Sequence, residues 1–147
     1  MKPTTTIRAI LAAKGGNVYA ISPKATVYDA IAMMADRGVG ALLVMEGDQL
    51  VGIVSERDYT RKVILKGRSS REALVEEIMT RDVVTAPPEI TVVDGMRLMT
   101  DHRIRHLPIV SGGRVVGVVS IGDLVKAIIS EQEETITHLT NYITGRY

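Results

Sequence analysis

The chain has 147 residues, of which 46% are hydrophobic and 24% charged, with a formal net charge of +1. This balance is typical of a soluble globular protein, and the small charge excludes the strong field that nucleic-acid or anionic-membrane binding uses. Its only aromatic residues are five tyrosines and it has no cysteine. Aromatic stacking platforms for nucleic acid, disulfides and thiolate catalysis are therefore excluded as well.

Residues 1–17 form the predicted N-terminal helical extension. Within it, Thr6–Lys14 predicts a short helix that Gly15-Gly16 ends. The apolar stretch Ile7–Ala13 is too short, and too interrupted by Arg8, for a signal peptide. No run approaches the roughly 20 apolar residues of a membrane-spanning helix. We therefore expect a cytoplasmic protein.

An internal repeat organises the rest of the chain. A shift of 65 positions aligns Val18–Val63 with Val83–Ile128 without a gap, and 14 of the 46 aligned pairs are identical. Apolar residues face apolar residues at most of the other positions. Such self-similarity indicates two copies of one structural unit.

Each copy predicts the same series of elements. The runs Val18–Ile21 and Val83–Ala86 predict short strands that end before prolines. A helix follows each Thr-x-x-Asp capping box, and then a hairpin whose turn is Glu46–Asp48 in the first copy and Ser111–Gly113 in the second. A second helix is predicted after the serine that closes each hairpin.

These elements predict an α+β fold of two pseudo-symmetric β-α-β-β-α repeats that pack through their sheets, because one repeat alone is too small to bury its apolar face. The predicted boundaries are 18–65 for the first repeat, 66–82 for a linker with a short helix capped by Ser69, and 83–130 for the second repeat. Residues 131–147 are a predicted C-terminal helical extension. Its helix is expected to run over 123–142 and to carry an apolar stripe.

The most specific local motif is Gly-apolar-Val-Ser-x-x-Asp. It occurs twice, as Gly52–Asp58 and as Gly117–Asp123. A strand that runs into a helix offers free N–H groups to an anion, and an aspartate three residues after the serine can accept hydrogen bonds from ribose hydroxyls. The same spacing is that of a helix capping box, so spacing alone leaves both interpretations open.

The paired motif resembles the C-terminal signature of cystathionine β-synthase (CBS) domains, over roughly residues 18–127 and including Glu77–Thr80 before the second copy. The resemblance implies a stand-alone tandem CBS pair, without catalysis, that binds an adenine nucleotide in clefts between the repeats and regulates a protein client. AMP is the expected ligand, and ADP, ATP, NAD(H) and S-adenosylmethionine are alternatives. It also implies a homodimer, which the C-terminal helix would extend.

The resemblance further implies which residues contact the nucleotide. Adenine is expected beside the first strand of a repeat, ribose at the aspartate and phosphate near the serine. In the first repeat these residues are Ala20, Ile21, Ser22, Ser55, Arg57 and Asp58. In the second repeat they are Val84, Thr85, Ala86, Arg103, Arg105, His106, Pro108, Ser120 and Asp123.

The two clefts are not expected to be equal. Arg103, Arg105 and His106 precede the middle strand of the second repeat, where the first repeat has the uncharged residues 38–41. We therefore predict the stronger phosphate site at Asp123, with Arg57 adding a contact. The simpler interpretation of the basic cluster is a solvated helix end.

Three other functional interpretations compete with that of a nucleotide sensor. A structural adaptor would leave its clefts empty and bind a client through its C-terminal helix. An enzyme would need a nucleophile with its base, or a phosphate loop, and the sequence shows neither. His102 and His106 have the spacing of a metal-binding pair, but a helix is expected to end between them, and we predict no metal site.

Overall fold

The computed structural model describes residues 5–144, without the side chains of Thr135, His138 and Tyr142. Its helices are α1 (Ile7–Lys14), α2 (Val27–Arg37), α3 (Glu56–Tyr59), α4 (Val75–Ile78), α5 (Val92–His102) and α6 (Ile121–Thr144), and a π-helical turn, Thr60–Ile64, continues α3. Its strands are β1 (Ala20–Ile21), β2 (Ala41–Glu46), β3 (Gln49–Ser55), β4 (His106–Ser111) and β5 (Arg114–Ser120). Within these residues, no helix is long and apolar enough to cross a membrane.

The strands form one three-stranded and one two-stranded sheet. In the first, β1 lies parallel to β2, and β2 pairs with β3 as an antiparallel hairpin. The second consists of β4 and β5. Both hairpins turn where predicted, and Gly47, Gly112 and Gly113 adopt the positive φ that such tight turns require. The α+β repeats expected from the sequence are thus confirmed.

The predicted first strand of the second repeat, Val83–Ala86, is wrong. There the chain makes only an isolated bridge, between Ala86 and Ile109. In the first repeat, the N–H of Leu43 donates to the carbonyl of Tyr19 at 3.1 Å. The position of Leu43 is taken in the second repeat by Pro108, which has no N–H to donate, so the pairing shortens.

Threonine caps begin both long helices of the repeats, as predicted. The hydroxyl of Thr26 accepts a hydrogen bond from the N–H of Asp29 at 3.2 Å, and Thr91 accepts one from Asp94 at 3.1 Å. The predicted cap at Ser69 is wrong. Helix α4 begins only at Val75, because the carboxylate of Glu77 accepts from the N–H of Leu74 at 2.6 Å and so caps the helix there.

The chain divides into two compact units that do not follow the order of the sequence. The first-repeat unit comprises residues 17–83 with 113–115, and the second-repeat unit comprises 5–16, 84–112 and 116–144. The helix before the first repeat, α1, therefore belongs to the second-repeat unit. Helix α4, which precedes the second repeat, belongs to the first-repeat unit.

Helices α1 and α4 hold equivalent places in their units. The N–H of Val92 donates to the carbonyl of Thr5, and that of Val27 donates to the carbonyl of Ala73. The residue two positions further along each segment, Ile7 or Val75, is completely buried. Burying such a side chain stabilises a unit by about 1.5–3 kcal/mol, so each core depends on a segment from outside its own repeat.

A glycine in the last strand of each sheet accommodates this packing. A Cβ at Gly117 would lie 2.6 Å from Leu11 of α1, and a Cβ at Gly52 would lie 2.6 Å from Met79 and 3.0 Å from the carbonyl oxygen of Thr80. These approaches are closer than van der Waals contact allows. The glycine of the repeated motif is therefore explained by the close approach of the α1 and α4 segments.

Candidate functional site

One edge of each sheet gathers the residues predicted to bind the nucleotide. In the first-repeat unit, β1 runs parallel to β2, and Ala41 at the start of β2 pairs with Ser55 at the end of β3. The N–H of Glu56 then donates to the carbonyl of Gly40 at 3.0 Å. The first strand and the Ser-x-x-Asp motif therefore lie at neighbouring strand ends.

The second-repeat unit brings the equivalent residues together through equivalent hydrogen bonds. The N–H of Ala86 donates to the carbonyl of Pro108 at 3.1 Å, and that of Ile121 donates to the carbonyl of Arg105 at 2.8 Å. The loss of a regular first strand therefore does not remove residues 84–86 from the site. Ala86 pairs with Ile109 of β4, and Arg105, just before β4, contacts the start of α6.

The predicted site residues differ in exposure. Ile21, Ala86 and Pro108 are buried, and Val84, His106, Ser55, Ser120 and both aspartates are half-buried. Ala20, Ser22, Thr85, Arg57, Arg103 and Arg105 are exposed. Buried aliphatic groups thus lie beside exposed polar ones, the combination that a small-molecule site requires.

Both Ser-x-x-Asp motifs form capping boxes. The N–H of Ser55 donates to Asp58 Oδ2 at 2.9 Å, and the N–H of Asp58 donates to Ser55 Oγ at 3.2 Å. Ser120 and Asp123 repeat the pattern at 2.8 and 3.1 Å. The capping interpretation is confirmed in both repeats, while the ligand interpretation stays a prediction.

Each aspartate also pairs with a lysine, and the two lysines come from different places. Lys62 Nζ lies 3.1 Å from Asp58 Oδ1, four residues further along the same helical run. Lys14 Nζ, from the last residue of α1, lies 2.6 Å from Asp123 Oδ2 and donates to the carbonyl of Val118 at 2.8 Å. Neither lysine was among the site residues predicted from the sequence.

The pairing with Lys14 affects the ionisation of Asp123. Partial burial raises the pKa of this carboxyl, but the hydrogen bonds from Lys14 and from the N–H of Ser120, together with the charge of Lys14, lower it. The net result is a pKa below the ordinary value of 3.8. The side chain is therefore an anion throughout the neutral range.

Arg103 has an unusual backbone in the predicted basic cluster. It follows α5 with φ of 55°, and the residue in the same place after α2 is Gly38, with φ of 66°. Of the described residues, Arg103 is the only non-glycine with positive φ. Any residue with a Cβ is disfavoured there by about 1 kcal/mol relative to glycine, so an arginine at this position is an exception that the fold alone does not explain.

None of the guanidinium groups of Arg57, Arg103 and Arg105 forms an ion pair with another described residue. The metal-binding pair considered above is interrupted as expected, because α5 ends at His102 and His106 begins β4. Within residues 5–144, no group of three or more His, Asp or Glu side chains is placed to hold a metal ion.

Comparison with known proteins identifies the two repeats. The family model described as CBS domain matches residues 3–64 and again 75–130. The mitochondrial CBS domain-containing protein CBSX3 of Arabidopsis thaliana is 43% identical over 98% of this chain and 74% of its own length. Each match begins in the segment of α1 or α4, so the family unit along the sequence differs from the compact unit in space.

Solved structures give the same result. A protein with CBS domains from Burkholderia ambifaria has 50% identity and a TM-score of 0.85, over 87% of this chain and 96% of its own. A hexameric CBS-CP12 protein from bloom-forming cyanobacteria has 31% identity and a TM-score of 0.75, over 83% and 67%. The predicted tandem pair is confirmed.

The lowered pKa of Asp123 gives a prediction about acid stability. A lowered pKa in the folded state means that the ion pair stabilises the fold above the unfolded pKa, and that this stabilisation is lost as the pH falls through the folded pKa. Between about pH 6 and pH 3, the free energy of unfolding should therefore fall less in Asp123→Asn than in the wild type. The difference should be roughly 1 kcal/mol or less, as in other partly exposed pairs.

Urea unfolding at the two pH values measures this difference, and NMR titration of the Asp123 carboxyl measures its pKa directly. Lys14→Met should raise that pKa. Arg8→Met, which removes a cation from the same helix without contact to Asp123, should leave it unchanged. Equal Asp123 titration curves in wild type and Lys14→Met would contradict the conclusion that Lys14 lowers the pKa of Asp123.

Proposed function

Because the chain belongs to the family of CBS-domain proteins, we propose that it is a non-catalytic regulatory module that binds adenine nucleotides and changes the activity of a protein client. AMP is the proposed ligand, with ADP, ATP and NAD(H) as the competing candidates. Nucleotide occupancy regulates the client only if the nucleotide binds two states of the module with different affinity.

The main support for nucleotide binding is the position of Asp58 and Asp123. Each is half-buried and follows a strand that ends beside the start of the middle strand, with which the segment of the first strand also pairs. A ribose can donate two hydroxyl hydrogen bonds to such a carboxylate, each worth about 1.5–3 kcal/mol. The base can then lie along Ala20–Ser22 or residues 84–86, among aliphatic side chains.

The second-repeat unit is the proposed stronger phosphate site. Ser120 lies before α6, a helix of 24 residues whose N-terminal dipole favours an anion. Arg105 is joined to the start of α6 through its backbone carbonyl, and Arg103 keeps an unfavourable φ that a glycine would relieve. Retaining an arginine there is consistent with a ligand contact.

We also propose that two copies of the chain associate through α6. Ile129, Ile136 and Ile143 recur every seven residues, Val125 and Leu139 occupy the other apolar position of the heptad, and these side chains are 41–81% exposed. This is the pattern of a two-stranded coiled coil with isoleucine at the first core position. The hexameric assembly of the CBS-CP12 protein shows that a related protein forms oligomers.

The proposed location is the cytoplasm, although CBSX3 is mitochondrial by name. A client protein is proposed on the same basis as the regulatory role. If the clefts bind no nucleotide, the protein is instead an adaptor that binds its client through α6.

Isothermal titration with AMP, ADP, ATP, NAD and NADH tests nucleotide binding. The double variant Asp58→Ala/Asp123→Ala should lose at least about 10-fold in affinity, because the ribose loses its acceptors in both units. The matched control is Asp36→Ala/Asp101→Ala, which removes two exposed carboxylates at the same repeat spacing. Absence of binding by the wild type, or equal affinities of the double variant and wild type, would favour the adaptor.

Arg103→Gly separates ligand binding from stability. The glycine relieves the positive φ, so the free energy of unfolding should stay the same or rise by up to about 1 kcal/mol. The affinity for ATP should nevertheless fall about 5- to 50-fold, because a phosphate contact is lost. Urea unfolding and calorimetry measure the two quantities.

The control for this prediction is Gly38→Arg, at the equivalent position of the first repeat, where a new Cβ would meet no atom within 4 Å. It introduces the backbone cost alone and should destabilise the protein by about 1 kcal/mol. Unchanged ATP affinity in Arg103→Gly would show that Arg103 does not contact the bound nucleotide.

Sedimentation equilibrium tests the proposed association. The wild type should have twice the 16.0 kDa mass of one chain at micromolar concentration. Ile136→Asp should shift the mass toward that of a monomer, because a charge in the core of a coiled coil is desolvated. Thr137→Asp adds the same charge to the exposed neighbouring residue and should not change the mass. A wild-type monomer would contradict the proposal.

A further inference from the structure

The carboxylate proposed to bind ribose in the second-repeat unit already holds a cation. Lys14 Nζ donates to Asp123 Oδ2 at 2.6 Å, and the same oxygen accepts from the N–H of Ser120 at 2.8 Å. Two donors therefore occupy Oδ2 before any ligand arrives. A ribose hydroxyl that donates to this oxygen has to replace the ammonium group.

In the first-repeat unit, the lysine that pairs with the aspartate binds a different carboxylate oxygen. Lys62 pairs with the other carboxylate oxygen of Asp58, Oδ1, and also donates to the carbonyl of Ile78 at 2.8 Å. Lys62 lies on the same helical run as Asp58. Lys14 lies 109 positions away from Asp123 along the sequence, at the end of a separate helix.

Helix α1 is anchored at its beginning and lightly held at its end. Ile7 is completely buried, and the N–H groups of Ile7 and Arg8 donate to the carbonyls of Ile90 and Pro88, both at 2.9 Å. Residues 12–16, by contrast, are all exposed. Beyond Leu11, whose side chain lies against Gly117, the last turn is retained by the hydrogen bonds of the Lys14 ammonium to Asp123 and to the carbonyl of Val118. The last turn can therefore leave Asp123 while Ile7 stays in the core.

From this geometry we infer that Lys14 is a tethered competitor for the Asp123 site. The ammonium occupies the ribose acceptor in the free protein, and a nucleotide binds there by displacing it and releasing the last turn of α1. The inference rests on the proposed nucleotide binding and adds its regulation. It makes the affinity of the second-repeat site depend on the docking of the N-terminal helix, whereas the first-repeat site has no such dependence on α1.

The test measures AMP binding in an Asp58→Ala background, where the Asp123 site alone remains. Lys14→Met in this background should raise the affinity about 3- to 10-fold, because the ligand no longer competes with a charge-assisted pair. Lys14→Arg should keep the weaker affinity, since it keeps a cation. Arg8→Met is the matched control, because Arg8 is on the same helix and pairs with Glu89, away from Asp123.

A second measurement follows the helix itself. Hydrogen exchange at the amides of residues 12–14 should accelerate when AMP is added to the Asp58→Ala protein, while exchange at residues 8–11 should change little. In the Lys14→Met variant these terminal amides should exchange rapidly with or without AMP. If Asp58→Ala does not fold, Asp58→Asn replaces it, because an amide oxygen can still cap the N–H of Ser55.

The outcomes distinguish this inference from the proposed function. If AMP binds the wild type and Lys14→Met leaves the affinity unchanged or lowers it, Lys14 is not a competitor, and a lower affinity would make it a phosphate ligand instead. If neither the wild type nor any variant binds a nucleotide, the proposed function fails and the inference fails with it.

Discussion

The structure depends on the burial of one apolar residue, contributed to each unit by the segment that precedes the other repeat. Ile7 fills this place in the second-repeat unit and Val75 in the first, and both are completely buried. Backbone hydrogen bonds to Val92 and Val27 fix the two segments in the same way. A repeat of about 46 residues buries too little surface alone, and the borrowed segment supplies the missing apolar contact.

This exchange of segments also shapes the candidate site. Helix α1 crosses the second-repeat unit over Gly117 and ends with Lys14 at Asp123. Helix α4 is shorter, and its segment covers Gly52 through Met79 and reaches a carbonyl that Lys62 contacts. The two sites thus differ because two segments of unequal length occupy equivalent places. One carboxylate is neutralised from its own helix, and the other from a distant one.

Several features of the fold and site followed from local patterns. The threonine caps, the hairpin turns and the start of a helix after the serine of each Ser-x-x-Asp motif are determined within four or five residues, and all were found where predicted. Two predictions failed because another local group competed. Pro108 lacks the N–H that would pair with a longer first strand. Glu77, and not Ser69, caps α4, by accepting from the N–H of Leu74. The ion pair of Lys62 was also predictable, from its spacing of four residues.

The sequence by itself determined that two copies of one unit exist, where their elements lie and that a carboxylate ends each motif, because these are properties of short range or of a fixed repeat. Only the tertiary structure decided which segment completes which core and that Lys14 pairs with Asp123. The segments of α1 and α4 both offer an apolar residue at the equivalent position, so the pattern fits either repeat equally well. Which segment completes which core is decided by contacts between residues more than 100 positions apart in the chain, such as Lys14 and Asp123.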